Sequence, residues 1–526
     1  MFILITTLFL FLTALALVVL HITRPGFRYA WLTAVGGTFL TWISVMLWQV
    51  FMPLTFDLPS WQAGLFRDAP AFLADRLAWP YALGLVTLAL ALILTAVVRE
   101  DFPDPLSWAG ILALTGLGVL ATLAKNPLTL ALVWAAIDLA DLTAQLRTAQ
   151  GERANERVVS GFAARAIGMG LLILAGMISL STGSPLDFQT VHPNVGMLLI
   201  LAAGLRLGVL PLHLAYTSEI GHRRGFGTAL RLVSAASSLV LLARIPAEGA
   251  LSPFAPFLLL FAAFAAGYGG LQWLRSSDEL VGRPYWVIGM ASLSIASALR
   301  GNPLGTVAWG AALLLAGGAL FLSTAQNKIL LRILLIFGAW GISSLPFSPT
   351  AAGWQSGVPS TWATWISFPV LIAAQALLVT GFIRHAMLPS AAAPLESQPV
   401  WAKNIHPIGI GLLLFSLTLL GFYGWDGALT LGAPLAGLAA AALAGALYWL
   451  RLRLPFLSPA RAHWVQPETS PSRLDSVYGL LWNLYRQLGR LSGFISSLLE
   501  GDGGILWALL FLVLFLSLLV PGTTQP

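Results

Sequence analysis

Apolar residues run along this chain in stretches of about twenty, separated by short polar breaks, from Phe2 to Leu519. A helix rising 1.5 Å per residue needs about 20 residues to cross a hydrocarbon core about 30 Å thick, so each stretch is long enough to span a bilayer. The pattern predicts sixteen spans: 2–22, 30–52, 79–98, 106–124, 126–147, 159–182, 195–217, 227–246, 253–274, 284–300, 303–324, 328–347, 362–385, 406–425, 428–450 and 504–521. The fold class expected is all-α, a polytopic transmembrane helix bundle of about 14–16 spans.

One segment departs from this pattern. Between 451 and 503, Val477, Leu480, Leu481, Leu484, Leu488, Leu491, Ile495 and Leu498 recur at helical spacing, while Arg473, Asp475, Arg486, Gln487 and Arg490 are polar. Ser472 and Asp475 stand three apart, loosely like a capping box. This predicts an amphipathic helix of about 27 residues lying along the inner membrane face; a helical linker to the last span is the other reading.

Composition narrows the field. Of the 526 residues, 58% are hydrophobic and 9% charged, against about 25% charged in soluble domains, so no water-facing domain of any size is expected. The first span has no positive residue before it and no small-residue cleavage site after it, and is expected to be retained. The chain has no cysteine, which excludes disulfides, thiolate chemistry and ligation of iron–sulfur clusters by this chain.

The net charge of +7 does not imply nucleic acid, because Lys and Arg sit in the loops. Loops after odd-numbered spans hold 20 of them and loops after even-numbered spans 5, the other three being inside spans. The positive-inside bias then predicts both termini on the outer side of a multi-pass protein of a bacterial plasma membrane.

Five ionisable residues fall inside spans: Asp138, Asp141, Arg165, Arg206 and Arg231. A charge at mid-bilayer costs roughly 2.5–3.5 kcal/mol on insertion scales, so each needs a partner or a task. Counting along the spans puts Asp138 and Arg206 at one level near the midplane, with Asp141, Arg165 and Arg231 about 7–10 Å from the inner face. Asp138 and Asp141, three apart, share a helix face. That face is expected to meet Arg206 at mid-depth and Arg165 or Arg231 nearer the inside. A structural salt bridge that only fixes helix register is the plainer reading of the pair, and Arg165 and Arg231 can also be read as snorkelling to the interface.

In the run Gly204 to His213, Pro211 removes a backbone hydrogen bond beside Arg206 and predicts a broken helix, a device that exposes backbone groups to an ion path in transporters. His213, just past the break, titrates near neutral pH and is a candidate to pass protons inward; an interfacial histidine is the alternative. Between Gly301 and Ile383 the charges are Lys328 and Arg332, both expected in a loop, so no second buried charge cluster is predicted. The glycines at 267, 269 and 270 are read as permitting close helix packing, and His222-Arg223-Arg224 as a basic loop set by orientation or by lipid phosphates. No glycine-rich nucleotide loop, no Cys/His cluster at metal-ligand spacing and no Ser/His/Asp set occurs, so no catalytic site, metal or cofactor is expected.

Asn126-Pro127-Leu128-Thr129-Leu130 into Trp134, Ser184-Pro185-Leu186-Asp187-Phe188, and Arg206 through Pro211-Leu212-His213 resemble the fifth span, the loop after the sixth and the broken seventh helix of a known family. It is the antiporter-like membrane subunits of complex I (NADH-quinone oxidoreductase), shared with Mrp-type antiporters and membrane-bound hydrogenases. Ser344-Leu345-Pro346-Phe347-Ser348-Pro349 and the amphipathic segment are similar to its largest member. The resemblance implies a bundle over 1–450 with an antiporter-like core at about 79–385, a lateral inner-face helix over 451–503 and a final span over 504–526. It also implies a buried glutamate on the fifth span paired with a lysine on the seventh, and further lysines in the second half. Here the lysine position carries Arg206, the glutamate position counts to Ala135 with Asp138 a turn further on, the histidine of the eighth span falls near Arg231, and the later lysines fall near Gly318 and Gly357. Arginine does not release its proton as lysine does, which argues against a full pump.

Three functions stay open. One is a proton- or cation-translocating subunit of a complex I-like, Mrp-like or hydrogenase-like assembly, with other membrane subunits, membrane lipids and protons or monovalent cations as partners, and no nucleic acid. The second is a non-conducting structural subunit. The third is a free-standing carrier of a small solute.

Overall fold

The computed structural model describes residues 2–27, 29–57, 70–99, 102–148, 152–183, 187–188, 193–213, 224–245, 247–324, 327–388 and 395–451. The segment beyond Arg451, with its expected lateral helix and last span, lies outside them, as do Ser184-Pro185-Leu186 and His222-Arg223.

The other fifteen predicted spans are all helical. They form α1 (Phe2–Thr23), α2 (Ala30–Phe51), α3 (Trp79–Thr95), α4 (Pro105–Thr122), α5 (Pro127–Thr148), α6 (Glu152–Ser181), α7 (Pro193–Leu207) and α8 (Phe226–Ala243). Then come α9 (Ala255–Arg275), α10 (Glu279–Leu299), α11 (Pro303–Leu322), α12 (Lys328–Ile333), α13 (Ala339–Gly341), α14 (Trp362–Met387), α15 (Val400–Phe422) and α16 (Pro434–Arg451). A π-turn at Leu334–Gly338 joins α12 to α13. Among the described residues, eleven helices are long and apolar enough to cross a membrane. The chain is therefore an all-α polytopic bundle.

Helix ends follow local chemistry. α10 starts at Glu279, ahead of the predicted span, because the Asp278 carboxylate accepts from the Leu280 and Val281 amides at 2.9 Å each. Lys328 and Arg332 lie in α12, not in a loop: Asn327 caps that helix by accepting from the Ile329 and Leu330 amides at 2.9 and 3.1 Å. Asn126 caps α5, accepting from the Thr129 amide at 2.9 Å, with Pro127 in the first turn where no amide is needed.

α3, α8 and α11 form the centre, with nearly every residue buried, as suits helices apolar on all sides. α1 lies outside, and its exposed stripe of Leu4, Leu8, Leu12, Leu15 and Val19 is wholly apolar, the surface a hydrocarbon solvent demands. The glycine reading holds at Gly269, where an added Cβ would stand 2.7 Å from the Gly289 amide of α10.

A hairpin of β1 (Leu54–Asp57) and β2 (Ala71–Ala74) was not visible in the hydropathy pattern. It is held by the α4–α5 connection: the Leu73 amide donates to Leu123 O at 2.7 Å, and Thr129 Oγ1 accepts from the Ala71 amide at 2.8 Å.

Polar contacts sort the bundle ends into two sets. His21 meets Asp104 at 3.2 Å and Arg224 meets Glu279 at 2.7 Å, joining ends that follow odd-numbered spans. Arg244 meets Asp75 at 2.6 Å and Arg76 meets Asp426 at 2.8 Å, joining ends that follow even-numbered ones. The loop alternation used to weigh the charges thus corresponds to two real faces.

Candidate functional site

α5, α6, α7 and α8 converge on the buried charges. The inward stripe of α5 is Trp134, Asp138, Asp141 and Gln145, spaced four, three and four apart, and all four are buried. Ala135, where the family's glutamate was counted, is exposed and lies off this stripe. Asp138 therefore presents the acid to the bundle.

Asp138 is 3% exposed and Arg206 is fully buried. Arg206 grips the carboxylate with both ends of its fork, Nη1 to Oδ2 at 2.5 Å and Nη2 to Oδ1 at 2.9 Å. This is the bidentate geometry that a guanidinium offers and an ammonium does not. Two further donors are used: Nη1 donates to Arg165 O at 3.3 Å and Nε to Ser238 Oγ at 3.1 Å. The guanidinium carbon lies 4.0 Å from the centre of the Trp134 ring, adding a cation–π contact. The Trp134 indole is fixed in turn by donating to Ser237 O at 3.0 Å.

Arg165 belongs to both aspartates. Its Nη2 is paired with Asp141 Oδ2, and its Nε lies 3.4 Å from Asp138 Oδ1. Gln145 Nε2 donates to Asp141 Oδ1 at 2.6 Å. Of the two partners left open for Asp141, packing selects Arg165, and neither aspartate pairs with Arg231. Both arginines are 1% exposed, so neither snorkels along a helix surface in this chain.

α6 and α7 approach closely enough for this because of Gly168: a Cβ there would fall 2.7 Å from Arg206 Cγ and 2.8 Å from Ala202 O. α7 then stops at Leu207, before Pro211. Gly208 takes φ +74°, its amide donates to Leu205 O at 3.2 Å and the Val209 amide to Gly204 O at 2.9 Å. Those bonds are a Schellman cap, so glycine ends the helix and Pro211 follows the stop. His213 is buried past this turn, its Nδ1 2.8 Å from Pro211 O. No hydrogen bond or ion pair joins it to either aspartate.

The second half holds a neutral counterpart that the sequence reading missed. α13 ends at Gly341, and Gln375 on α14 donates to Ile342 O at 2.9 Å and Ser344 Oγ at 3.0 Å while accepting from Trp354 Nε1 at 3.2 Å. The absence of a second buried charge cluster between Gly301 and Ile383 was legible; the amide serving in its place was not. Gly318 lies within α11 and Gly357 follows α13, and neither position offers a side chain. Elsewhere buried arginines cap helices, as Arg384 does by donating to Leu274 O at 2.5 Å and Ser276 O at 2.6 Å. At the end of α3, burial and the neighbouring Arg224 lower the Arg99 pKa to about 10.

The chain aligns with a chain of the Mrp complex from Dietzia sp. DQ12-45-1b at TM-score 0.69 and 14% identity, over 100% of this chain and 63% of that one. It aligns with a chain of respiratory complex I from Thermus thermophilus at TM-score 0.64 and 18% identity, over 85% of this chain and 99% of that one. The archaeal membrane-bound sulfane sulfur reductase gives 0.60 and 13%, over 98% and 100%. The chain shares its fold with these chains of membrane complexes. No protein-family model and no curated sequence matches it. At these identities the likeness is one of fold, and the charged cluster is a property of this chain's own residues. Within the shared fold that cluster lies where α7 ends.

Proposed function

We propose that this chain is a proton- or monovalent-cation-translocating subunit of a multi-subunit, energy-converting membrane complex, with Asp138 as the carrying group. The observation behind this reading is a buried carboxylate between guanidiniums from two other helices, beside the end of α7. Arginine keeps its proton under ordinary conditions, so a change of charge in the cluster has to occur on an aspartate. Two carboxylates and two guanidiniums sum to zero, and an arriving proton or cation makes the sum +1 in a medium that penalises net charge. Arg165, in contact with both aspartates, is placed to follow the charge from Asp138 to Asp141. Arg206 holds the carboxylate in register, and His213 is a candidate for the next step inward. The fold likeness to chains of the Mrp complex, complex I and an archaeal respiratory membrane complex supports partnership with other membrane subunits. Charge bias supports a bacterial plasma membrane with both termini outside.

Flux in proteoliposomes of the assembled complex tests this: Asp138→Asn is expected to abolish it, and unchanged flux removes Asp138 from the route. Mass spectrometry of chains that co-purify from native membranes tests the partnership. A second reading, a non-conducting subunit that braces its partners, is favoured by the uncharged surroundings of the second helix break. It expects Arg206→Lys to weaken stability or assembly while leaving coupled flux unaltered.

A further inference from the structure

The first turns of α12 and α15, with the short turn Leu395–Ser397, enclose a groove of about 290 Å³. One wall is hydrocarbon, from Ile329, Ile333 and Leu395; the rim carries Asn327, Glu396 and Lys403. Among the described residues, neither the Glu396 carboxylate nor the Lys403 ammonium makes an ion pair or hydrogen bond; the Lys403 backbone amide donates to Pro399 O at the start of α15. Asn327 has spent its carbonyl oxygen on capping α12, which leaves its amide N–H groups as donors.

Two opposite, unmatched charges on the rim of an apolar groove call for a ligand with a long hydrocarbon part and a head bearing both signs. The groove lies at the starts of two membrane helices, the level at which lipid headgroups meet protein. We propose that it is a binding site for phosphatidylethanolamine. Lys403 and the Asn327 amide donate to the phosphate, Glu396 accepts from the primary ammonium, and an acyl chain lies along Ile329, Ile333 and Leu395. Lys328 and Arg332, exposed on α12, add a positive field that any phosphate would feel. Glu396 supplies the selection. It repels an anionic head such as that of phosphatidylglycerol, and finds no N–H donor on the quaternary ammonium of phosphatidylcholine. The proposal depends on the membrane fold alone and stands whether or not the chain conducts.

The test is native mass spectrometry of the full chain taken from nanodiscs holding equal fractions of the three lipids. The expected result is bound phosphatidylethanolamine enriched about two- to fivefold over each competitor, the selectivity that one half-exposed ion pair supplies. Glu396→Gln should erase the preference over phosphatidylglycerol, and Lys403→Ala should lower retention of all three. Equal retention of the three lipids by the unmodified chain, or preference for phosphatidylglycerol, overturns the proposal without recourse to any variant. So does an undiminished preference in Glu396→Gln.

Discussion

Two breaks among the described helices, at the end of α7 and at the end of α13, are surrounded by side chains of different chemistries. At 1.5 Å per residue, α7 reaches about 22 Å and the run from α12 through α13 about 21 Å, against a core of about 30 Å. The first stop is closed by Gly208 with backbone bonds alone, and ionised groups from α5, α6 and α7 pack next to it. The second is closed by side chains: Thr350 Oγ1 donates to Gly341 O and accepts from the Ser344 amide, both at 3.0 Å, and Gln375 satisfies the next carbonyl. Ser344 there takes φ +56°, a conformation costing a non-glycine residue about 1–2 kcal/mol. A broken helix in this fold therefore needs no charge to support it. Since buried ion pairs gain little over apolar packing, the three ion-pair contacts at the first break call for a reason other than stability, and the proposed ion handling supplies one.

The contrast can be broken most severely at Arg206. Arg206→Ala leaves Asp138 buried against Arg165 alone and is expected to cost about 3–5 kcal/mol, read from thermal unfolding in detergent. The double variant Asp138→Asn/Arg206→Gln removes one buried carboxylate and one guanidinium together, leaving the Asp141–Arg165 pair, and should recover most of that loss. A double variant as unstable as the single one means that the first break does depend on charge.

At the second break, Gln375→Leu leaves one carbonyl, one hydroxyl and one indole N–H short of partners, a loss of about 1–3 kcal/mol. Flux should survive it in any variant that still assembles. Loss of flux with assembly intact would place the neutral half on the route and erase the functional side of the comparison. The smallest effect belongs to Thr350→Val, which removes the hydroxyl's neutral hydrogen bonds to Gly341 O, the Ser344 amide and Ser348 Oγ and should cost about 1 kcal/mol. It is expected to leave the first break untouched, checked by an unchanged response of the same variant to Asp138→Asn.

Much of this was legible in advance because depth in a membrane is a count. A rise of 1.5 Å per residue fixes how far each residue lies from a helix end, which put Asp138 level with Arg206 and Asp141 nearer Arg165 before any packing was known. Spacing also placed Asp138 and Asp141 on one face, and hydropathy located fifteen helices within the described residues. Errors arose where a local group overrode hydropathy: Asp278 and Asn327 began helices by capping them, and Gly208 ended α7 ahead of the proline.

Rotation about the helix axis and the choice of neighbour were decided only by tertiary structure. A linear count assigned the acid position to Ala135, which packing turns outward, and left Arg165 and Arg231 as equal candidates for Asp141. Gly168 lets α6 lie against α7, which brings Arg165 to both aspartates. The β1–β2 hairpin and the Gln375 network were invisible for the same reason. Their hydrogen bonds join residues distant in sequence, and composition and periodicity carry no record of which distant backbone group will be left in need of a partner. The chain's own order of residues settled that it is a multi-pass membrane helix bundle. Close packing settled which charges meet, because contact at 3 Å depends on how neighbouring helices turn toward one another.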